Sequence, residues 1–179
     1  MPGEGPLRVK IEDAEVKKYL SEVIRRTGDP KPAFEIIGET VRTSIVRNFE
    51  VGGRYSEPGS PVGGTRKWKP LSLMTLYSGR KGRYVKERGG YRKGMAPDEL
   101  REKRHILIKT GHLLDSINWK ASRTGVAIGT NKIYGKIHNF GGKAGRGRKV
   151  NIPARPFLVY QPEDLKSIGG QLLGFLARR

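Results

Sequence analysis

The sequence predicts an α+β fold, in which long N-terminal helices pack on a small, mostly antiparallel sheet. Three observations support this prediction. Apolar residues recur at helical spacing before residue 50, short β-prone segments separated by turn residues follow residue 117, and helical spacing returns after Pro162. A basic, glycine-rich insertion over residues 52–104 lies between the first helices and the strands, and the chain closes on a C-terminal helix.

Two amphipathic helices are predicted in the N-terminal part. The first ends at Thr27 and Gly28, and its apolar face is formed by Val16, Tyr19, Leu20, Val23 and Ile24. The second begins at Asp29 and Pro32 and ends at glycines 52 and 53. Its apolar face is formed by Phe34, Ile37, Val41, Ile45 and Phe49. We expect this second face to pack against the sheet; an exposed face that binds a partner is the alternative.

Three short elements are predicted after the insertion. A helix of about two turns should run from Thr110, its N-cap, to Ile117. Residues 118–122 and 125–129 are β-prone and are joined by a turn rich in serine and glycine, so they should pair antiparallel. A second short helix is predicted over residues 133–140, closed by two glycines.

The C-terminal segments combine a loop, an extended segment and a helix. Residues 142–149 contain three glycines and four basic residues without an apolar period, which predicts an exposed basic loop. Residues 150–159 are β-prone, and prolines 153 and 156 favour extended geometry, so we expect residues 152–158 to fix the sheet edge. The final helix has one apolar face, formed by Leu165, Ile168, Leu172 and Leu176.

Four segments of this region, read in order, resemble a known protein family. They are residues 106–117, 126–131, 134–141 and 152–158, and together they look like the virion morphogenesis (tail completion) family of Mu-like tailed bacteriophages. Weaker resemblance extends to residues 46–53 and 68–75, and so to roughly residues 33–160. Members of that family usually carry alanine at the position of Gly135 and often glutamine at the position of Asn139.

The resemblance implies a structural virion protein, namely a tail completion or neck subunit. Such a subunit would form a ring at the head–tail junction, with six copies expected, and would be needed to join the tail to the head. The implied partners are the protein itself, head connector or neck proteins, and tail terminator or tail tube proteins, with packaged DNA in the lumen and no membrane. The implied location is the virion tail or neck, after synthesis in the cytoplasm of a bacterial host.

Three units are expected along the chain. Residues 1–30 form an N-terminal extension with an amphipathic helix, residues 31–160 form the tail-completion-like α+β domain that contains the 52–104 insertion, and residues 161–179 form the C-terminal helix. In 179 residues there are no cysteines, so neither a disulfide framework nor a thiolate site can form. No apolar run approaches the ~20 residues that span a bilayer.

The net charge of +19 implies an acidic partner. A cytoplasmic nucleic-acid-binding protein, similar to a ribosomal component in charge and size, is therefore the alternative function. Steep loss of affinity with rising salt would indicate that alternative. Residues 80–93 interleave aromatic and basic side chains, which is typical of contact with single-stranded nucleic acid or of a loop that orders only against neighbouring subunits or an acidic partner protein.

Two sets of candidate site residues follow. The candidate subunit or neck interface comprises Trp68, Pro153, Arg155, Pro156 and Phe157, although Trp68 is better explained as a core residue. The candidate contacts to DNA in the lumen or to an acidic partner are Arg80, Lys81, Arg83, Arg92, Lys93, Lys143, Arg146, Arg148 and Lys149.

Catalysis is not expected. No two of the histidines His105, His112 and His138 have the close spacing of a helical metal motif, and the acidic residues form no cluster suited to two-metal hydrolysis. The glycine-rich residues 141–147 lack the Gly-Lys-Ser or Gly-Lys-Thr ending of a phosphate loop. We therefore expect no catalytic residue, no metal and no cofactor, and we expect the His138 side chain to hydrogen-bond to backbone.

Overall fold

The structure is a computed structural model that describes residues 13–72, 75–76 and 105–177. Within these ranges the helices are α1 (Ala14–Thr27), α2 (Lys31–Glu50), α3 (Gly135–Phe140) and α4 (Pro162–Ala177). The strands are β1 (Ile117–Ala121), β2 (Val126–Thr130), β3 (Gly142–Ala144) and β4 (Val150–Ile152). The predicted α+β class is confirmed, but the strands form two separate two-stranded antiparallel sheets instead of one.

The ends of α1 follow from its capping residues. The side chain of Asp13 accepts a hydrogen bond from Val16 N at 2.9 Å, which satisfies one of the free N–H groups of the first turn. At the other end Gly28 adopts φ 68°, and its N–H donates to Ile24 O at 2.9 Å. Glycine adopts this left-handed conformation without steric cost, so the predicted end of the helix is confirmed.

The core lies between three helices and the first sheet. Helix α4 packs on both α1 and α2, and α2 packs on the other side against β1 and β2. Val23, Ile168 and Leu172 are fully buried in the helical layer. The prediction that α2 packs on the sheet is confirmed, because Trp119 of β1 lies over Gly38, where a β-carbon would be only 2.6 Å from Trp119 Cδ2. Glycine at this position lets the sheet approach the helix closely.

The predicted helix over residues 110–117 is wrong. The segment forms consecutive turns, with Asp115 N donating to Gly111 O at 2.9 Å and Ile117 N donating to Leu114 O at 3.1 Å. Gly111 adopts φ 75°, which is incompatible with a right-handed helix, and a run this short gains too few hydrogen bonds to propagate one. Leu113 and Ile117 are still buried, which accounts for the helical spacing.

The predicted strand over residues 150–159 is also shorter than expected. Only Val150–Ile152 pairs in a ladder, and its partner is β3 and not the main sheet, so residues 152–158 do not fix that sheet's edge. Proline has no N–H to donate, and prolines 153 and 156 prevent continuous pairing. The sequence also predicts a short helix over residues 71–77, of which residues 73, 74 and 77 lie outside the described residues; within them, Leu76 N donates to Ser72 O at 2.9 Å.

Candidate interaction surface

An extended segment, residues 153–160, crosses the core, and at its end Tyr160 forms an isolated parallel β-bridge with Val62. Three of its backbone N–H groups are satisfied from α3. Arg155 N donates to His138 O at 2.8 Å, while Phe157 N and Leu158 N both donate to Asn139 Oδ1, at 2.9 and 3.1 Å. Buried backbone groups without partners are costly, so Asn139 fixes the position of α3 relative to the core.

The carbonyl groups of the same segment are satisfied by two other side chains. Trp68 Nε1 donates to Pro156 O at 2.8 Å, and Asn48 Nδ2 donates to Phe157 O at 3.3 Å. The Trp68 ring packs edge-on against Phe49, with centroids 5.5 Å apart. These contacts connect α2 and the loop after it to the extended segment.

The five candidate interface residues therefore lie in or near the core. Trp68 is 3% exposed, which confirms its assignment as a core residue, and Phe157 is fully buried beside Pro156. Pro153 is half-buried. Their contact with a subunit or with the neck stays a prediction, and in this structure their side chains support the fold.

Arg155 is the unusual member of this set, because its guanidinium is buried. The residue is 6% exposed, and Nε donates to Lys69 O at 3.2 Å. Among the described residues no carboxylate lies within ion-pair distance of it. Burial lowers the pKa of Arg155 from its usual value.

The expectation for His138 is wrong. Its Nδ1 is buried and has no hydrogen-bond partner among the described residues, whereas its backbone O accepts from Arg155 N and its backbone N–H donates to Tyr134 O. The imidazole packs edge-on against Tyr134 at 6.0 Å between centroids. Burial, with a smaller contribution from the charge of Arg155, lowers the pKa of His138, so the ring favours the neutral form.

Helix α3 turns small and polar residues toward the core, where an amphipathic helix normally buries its apolar residues. Its buried residues are Gly135 and Asn139, one turn apart. A β-carbon at Gly135 would lie 2.5 Å from Thr130 Cγ2, so this glycine permits close packing of α3 against the end of β2. The apolar side chains of α3 consequently face away from the main core.

The apolar side chains of α3, of the two residues before it and of β4 form what we call the apolar ledge. Its members are Ile133, Tyr134, Ile137, Phe140, Val150 and Ile152. None of them belongs to the main apolar cluster or packs against it. Ile133 is 96% exposed, Val150 56% and Phe140 42%, so the ledge presents large apolar side chains to solvent. Clusters of this kind, as opposed to single exposed apolar residues, mark binding surfaces.

The β3–β4 hairpin extends the ledge. Ala144 pairs with Val150 and Gly142 with Ile152, so these four residues share one face of the hairpin. The same face meets α3, because a β-carbon at Gly142 would lie 3.7 Å from Ile137 Cγ1. The apolar surface is therefore continuous from α3 onto the hairpin.

The hairpin ends in what we call the basic turn: Lys143, Arg146, Arg148 and Lys149. All four residues are exposed, as predicted, but the segment is an ordered hairpin with a 3₁₀ turn at its tip and not a loop without secondary structure. Within the described part of the chain, none of the four side chains forms an ion pair. The other candidate cations, Arg80, Lys81, Arg83, Arg92 and Lys93, lie outside the described residues.

The ledge was not predicted from the sequence. Helical spacing puts residues 133, 137 and 140 on one side of a helix, but it does not show that this side faces solvent. The signal available was the pair of small or polar residues, Gly135 and Asn139, on the opposite side. In a short helix, a glycine and an amide at one-turn spacing are suited to close backbone contact, which leaves the apolar side for another surface.

Two further features bear on the type of protein. The described residues contain no cluster of three or more histidine, aspartate or glutamate side chains placed to hold a metal ion. Over residues 13–72, 75–76 and 105–177, no helix has both the length and the hydropathy to cross a membrane.

Comparison with known proteins assigns the family. Residues 11–177 match the phage virion morphogenesis family, a wider span than the motifs alone suggested. Over 159 residues the chain is 32% identical to the Mu-like prophage FluMu G protein 2 of Haemophilus influenzae, covering 88% of this chain and 87% of that protein. No solved structure matches significantly. The chain therefore belongs to the phage virion morphogenesis family.

Proposed function

We propose that this protein is a structural subunit of a tailed-phage virion that completes the tail at its head-proximal end. In this proposal it forms a ring at the head–tail junction, and the ring is needed to join tail to head. The observation that supports it is the ledge beside the basic turn, a surface suited to binding and not to chemistry. Family membership supports a role in virion morphogenesis.

A ring places a requirement on its subunit. Each copy must present two different surfaces, because head-to-tail contacts close a ring by rotation only when one patch fits another. Exposed apolar side chains distinct in the chain from the ledge are present on the outer helices, where Ile24 of α1 is 48% exposed and Leu173 of α4 is 47% exposed. We assign the contact between neighbouring subunits to this helical region, with six copies as the expected number.

The proposed partners lie on either side of the ring. Head connector or neck proteins would bind one side and tail terminator or tail tube proteins the other, with packaged DNA passing through the lumen. The role is structural and not enzymatic in this proposal. The protein would be located in the neck or tail of the virion.

Particle assembly without the protein tests the proposal. Deletion of the gene should leave filled heads and free tails that do not join, and expression of the wild-type protein in trans should restore joined, infectious particles. Joined particles at wild-type yield in the deletion strain would contradict the proposal.

The rival function, nucleic-acid binding, is favoured by the four cations of the basic turn, which form no ion pair with the residues that the structure describes. It predicts that the purified protein binds DNA or RNA with an affinity that falls steeply between low and physiological salt. A matched pair of variants separates the two functions. Arg146→Glu with Arg148→Glu should block joining, whereas Lys109→Glu with Lys120→Glu, an equal charge change at exposed positions elsewhere, should not.

A further inference from the structure

We propose that the apolar ledge and the basic turn together form one docking site for an acidic surface of a different virion protein. In this site apolar side chains of the partner cover the ledge, and its carboxylates pair with the basic turn. This inference rests on the proposed function and names the chemistry of one partner. It also separates the partner-binding surface from the helical region that contacts neighbouring subunits.

The apolar half of the site favours a protein as the occupant. Ile133 and Val150 are aliphatic and more than half exposed, at 96% and 56%. Covering such side chains stabilises a complex by about 25 cal/mol for each Å² of apolar surface removed from water. Duplex DNA presents phosphates and sugars outward with its bases stacked inside, so it offers little apolar surface to cover Ile133.

The charged half of the site requires that the protein be acidic. The four cations of the basic turn have no carboxylate partner among the described residues. An apolar partner without acidic groups would leave these cations beside a dry interface, which is unfavourable. Carboxylates placed around an apolar centre match the usual arrangement of an interface, with a polar rim around an apolar core.

A second copy of this chain fits the site poorly. The net charge of +19 means that two copies repel each other, and a turn-to-turn contact would bring like charges together. Several of the described carboxylates are already in ion pairs with cations of the same chain: Glu22, Glu35, Glu39, Glu163 and Asp29. The occupant is therefore a chain of different composition.

The turn has hydrogen-bonded structure of its own in the chain without a partner. Arg148 adopts φ 53°, which is uncommon for a residue with a β-carbon and costs about 1–2 kcal/mol. The Arg148 N–H donates to Gly145 O at 3.0 Å, and the β3–β4 ladder fixes the base of the turn. A turn that is already ordered loses less entropy on binding, so the cations meet the partner at low cost.

Site-specific photocrosslinking in assembled particles tests the docking site. A photoreactive phenylalanine analogue is placed at Phe140, on the ledge, and in a matched variant at Thr124, which is exposed in the turn between β1 and β2. Crosslinked peptides are then identified by mass spectrometry. We expect a crosslink at Phe140, at least fivefold above Thr124, to another virion protein at a peptide that holds more Asp and Glu than Lys and Arg.

Four outcomes would overturn the docking site: a Phe140 crosslink to DNA, one to a second copy of this chain, one to a basic peptide, or a yield no higher than at Thr124. Adding Arg146→Glu and Arg148→Glu should lower the Phe140 crosslink at least fivefold, and an unchanged yield would remove the basic turn from the site. The gene-deletion experiment reports on the proposed function separately. Particles that need the protein but give no ledge crosslink would contradict only the docking site.

Discussion

Replacement of Asn139 tests the arrangement that holds α3 and the ledge on the core. Its Oδ1 accepts hydrogen bonds from two buried backbone N–H groups, Phe157 N at 2.9 Å and Leu158 N at 3.1 Å. Alanine would leave both donors without a partner. No β-strand pairs with residues 157 and 158 in the described part of the chain, so no backbone carbonyl replaces Asn139 Oδ1. Each unsatisfied buried donor costs about 1–3 kcal/mol, so Asn139→Ala should lower the free energy of unfolding by about 2–5 kcal/mol.

Urea unfolding followed by tryptophan fluorescence measures this loss, since Trp68 is 3% exposed in the folded chain. The midpoint should fall while the slope with urea stays unchanged, which indicates lost stability without a change in the surface exposed. Asn139→Asp keeps an acceptor oxygen at the position of Oδ1 and should lose less than the alanine variant. The exposed Asn131→Ala should stay within about 0.5 kcal/mol of wild type.

Two results would refute the reasoning about Asn139. The first is an alanine variant within about 0.5 kcal/mol of wild type, which would mean that the two N–H groups find other partners. The second is an aspartate variant no more stable than alanine, which would mean that the acceptor oxygen does not account for the loss.

The other predictions concern backbone space and pH. Gly53→Ala places a β-carbon 2.6 Å from Trp68 Cδ1 at φ 105°, so it should lower the free energy of unfolding by about 2–4 kcal/mol. Gly52→Ala, at φ 72° with open space around the β-carbon, should lower it by only about 1 kcal/mol. Equal urea midpoints for the two variants would contradict this. The His138 pKa is lowered from 6.5 by burial, so the unfolded state binds the proton more readily and stability falls as pH drops below 6.5. His138→Gln should reduce that fall and the exposed His112→Gln should not; identical pH profiles for wild type and His138→Gln would refute it.

Local chemistry made the long helices predictable. Gly28 ends α1 by its own conformation, and the apolar face that includes Val41 and Ile45 of α2 follows from the helical period alone. The same local reasoning misassigned residues 110–117, because Leu113 and Ile117 bury their side chains from turns as well as from a helix. Periodicity records which residues are buried, but a run of that length does not specify the backbone that buries them.

No local pattern in the sequence indicates which side chains form hydrogen bonds to the backbone of the extended segment. Asn48 and Trp68 reach its carbonyl groups across 109 and 88 residues of sequence, and neither residue type predicts such a contact. The ledge was not predictable from the sequence for a related reason, because the orientation of α3 depends on tertiary packing. Apolar residues at helical spacing normally face the core, but the packing of Gly135 against Thr130 and the hydrogen bonds to Asn139 turn α3 the other way. The basic turn, in contrast, was predictable, because its charges and glycines lie together in sequence.

Cryo-electron microscopy of whole particles tests the central proposal most directly. The account predicts a ring of this chain at the head–tail junction, with the ledge and basic turn against a different protein and the outer helices between neighbouring copies. Density for the chain elsewhere in the virion, or no density with tight, salt-sensitive binding of the isolated protein to nucleic acid, would contradict it.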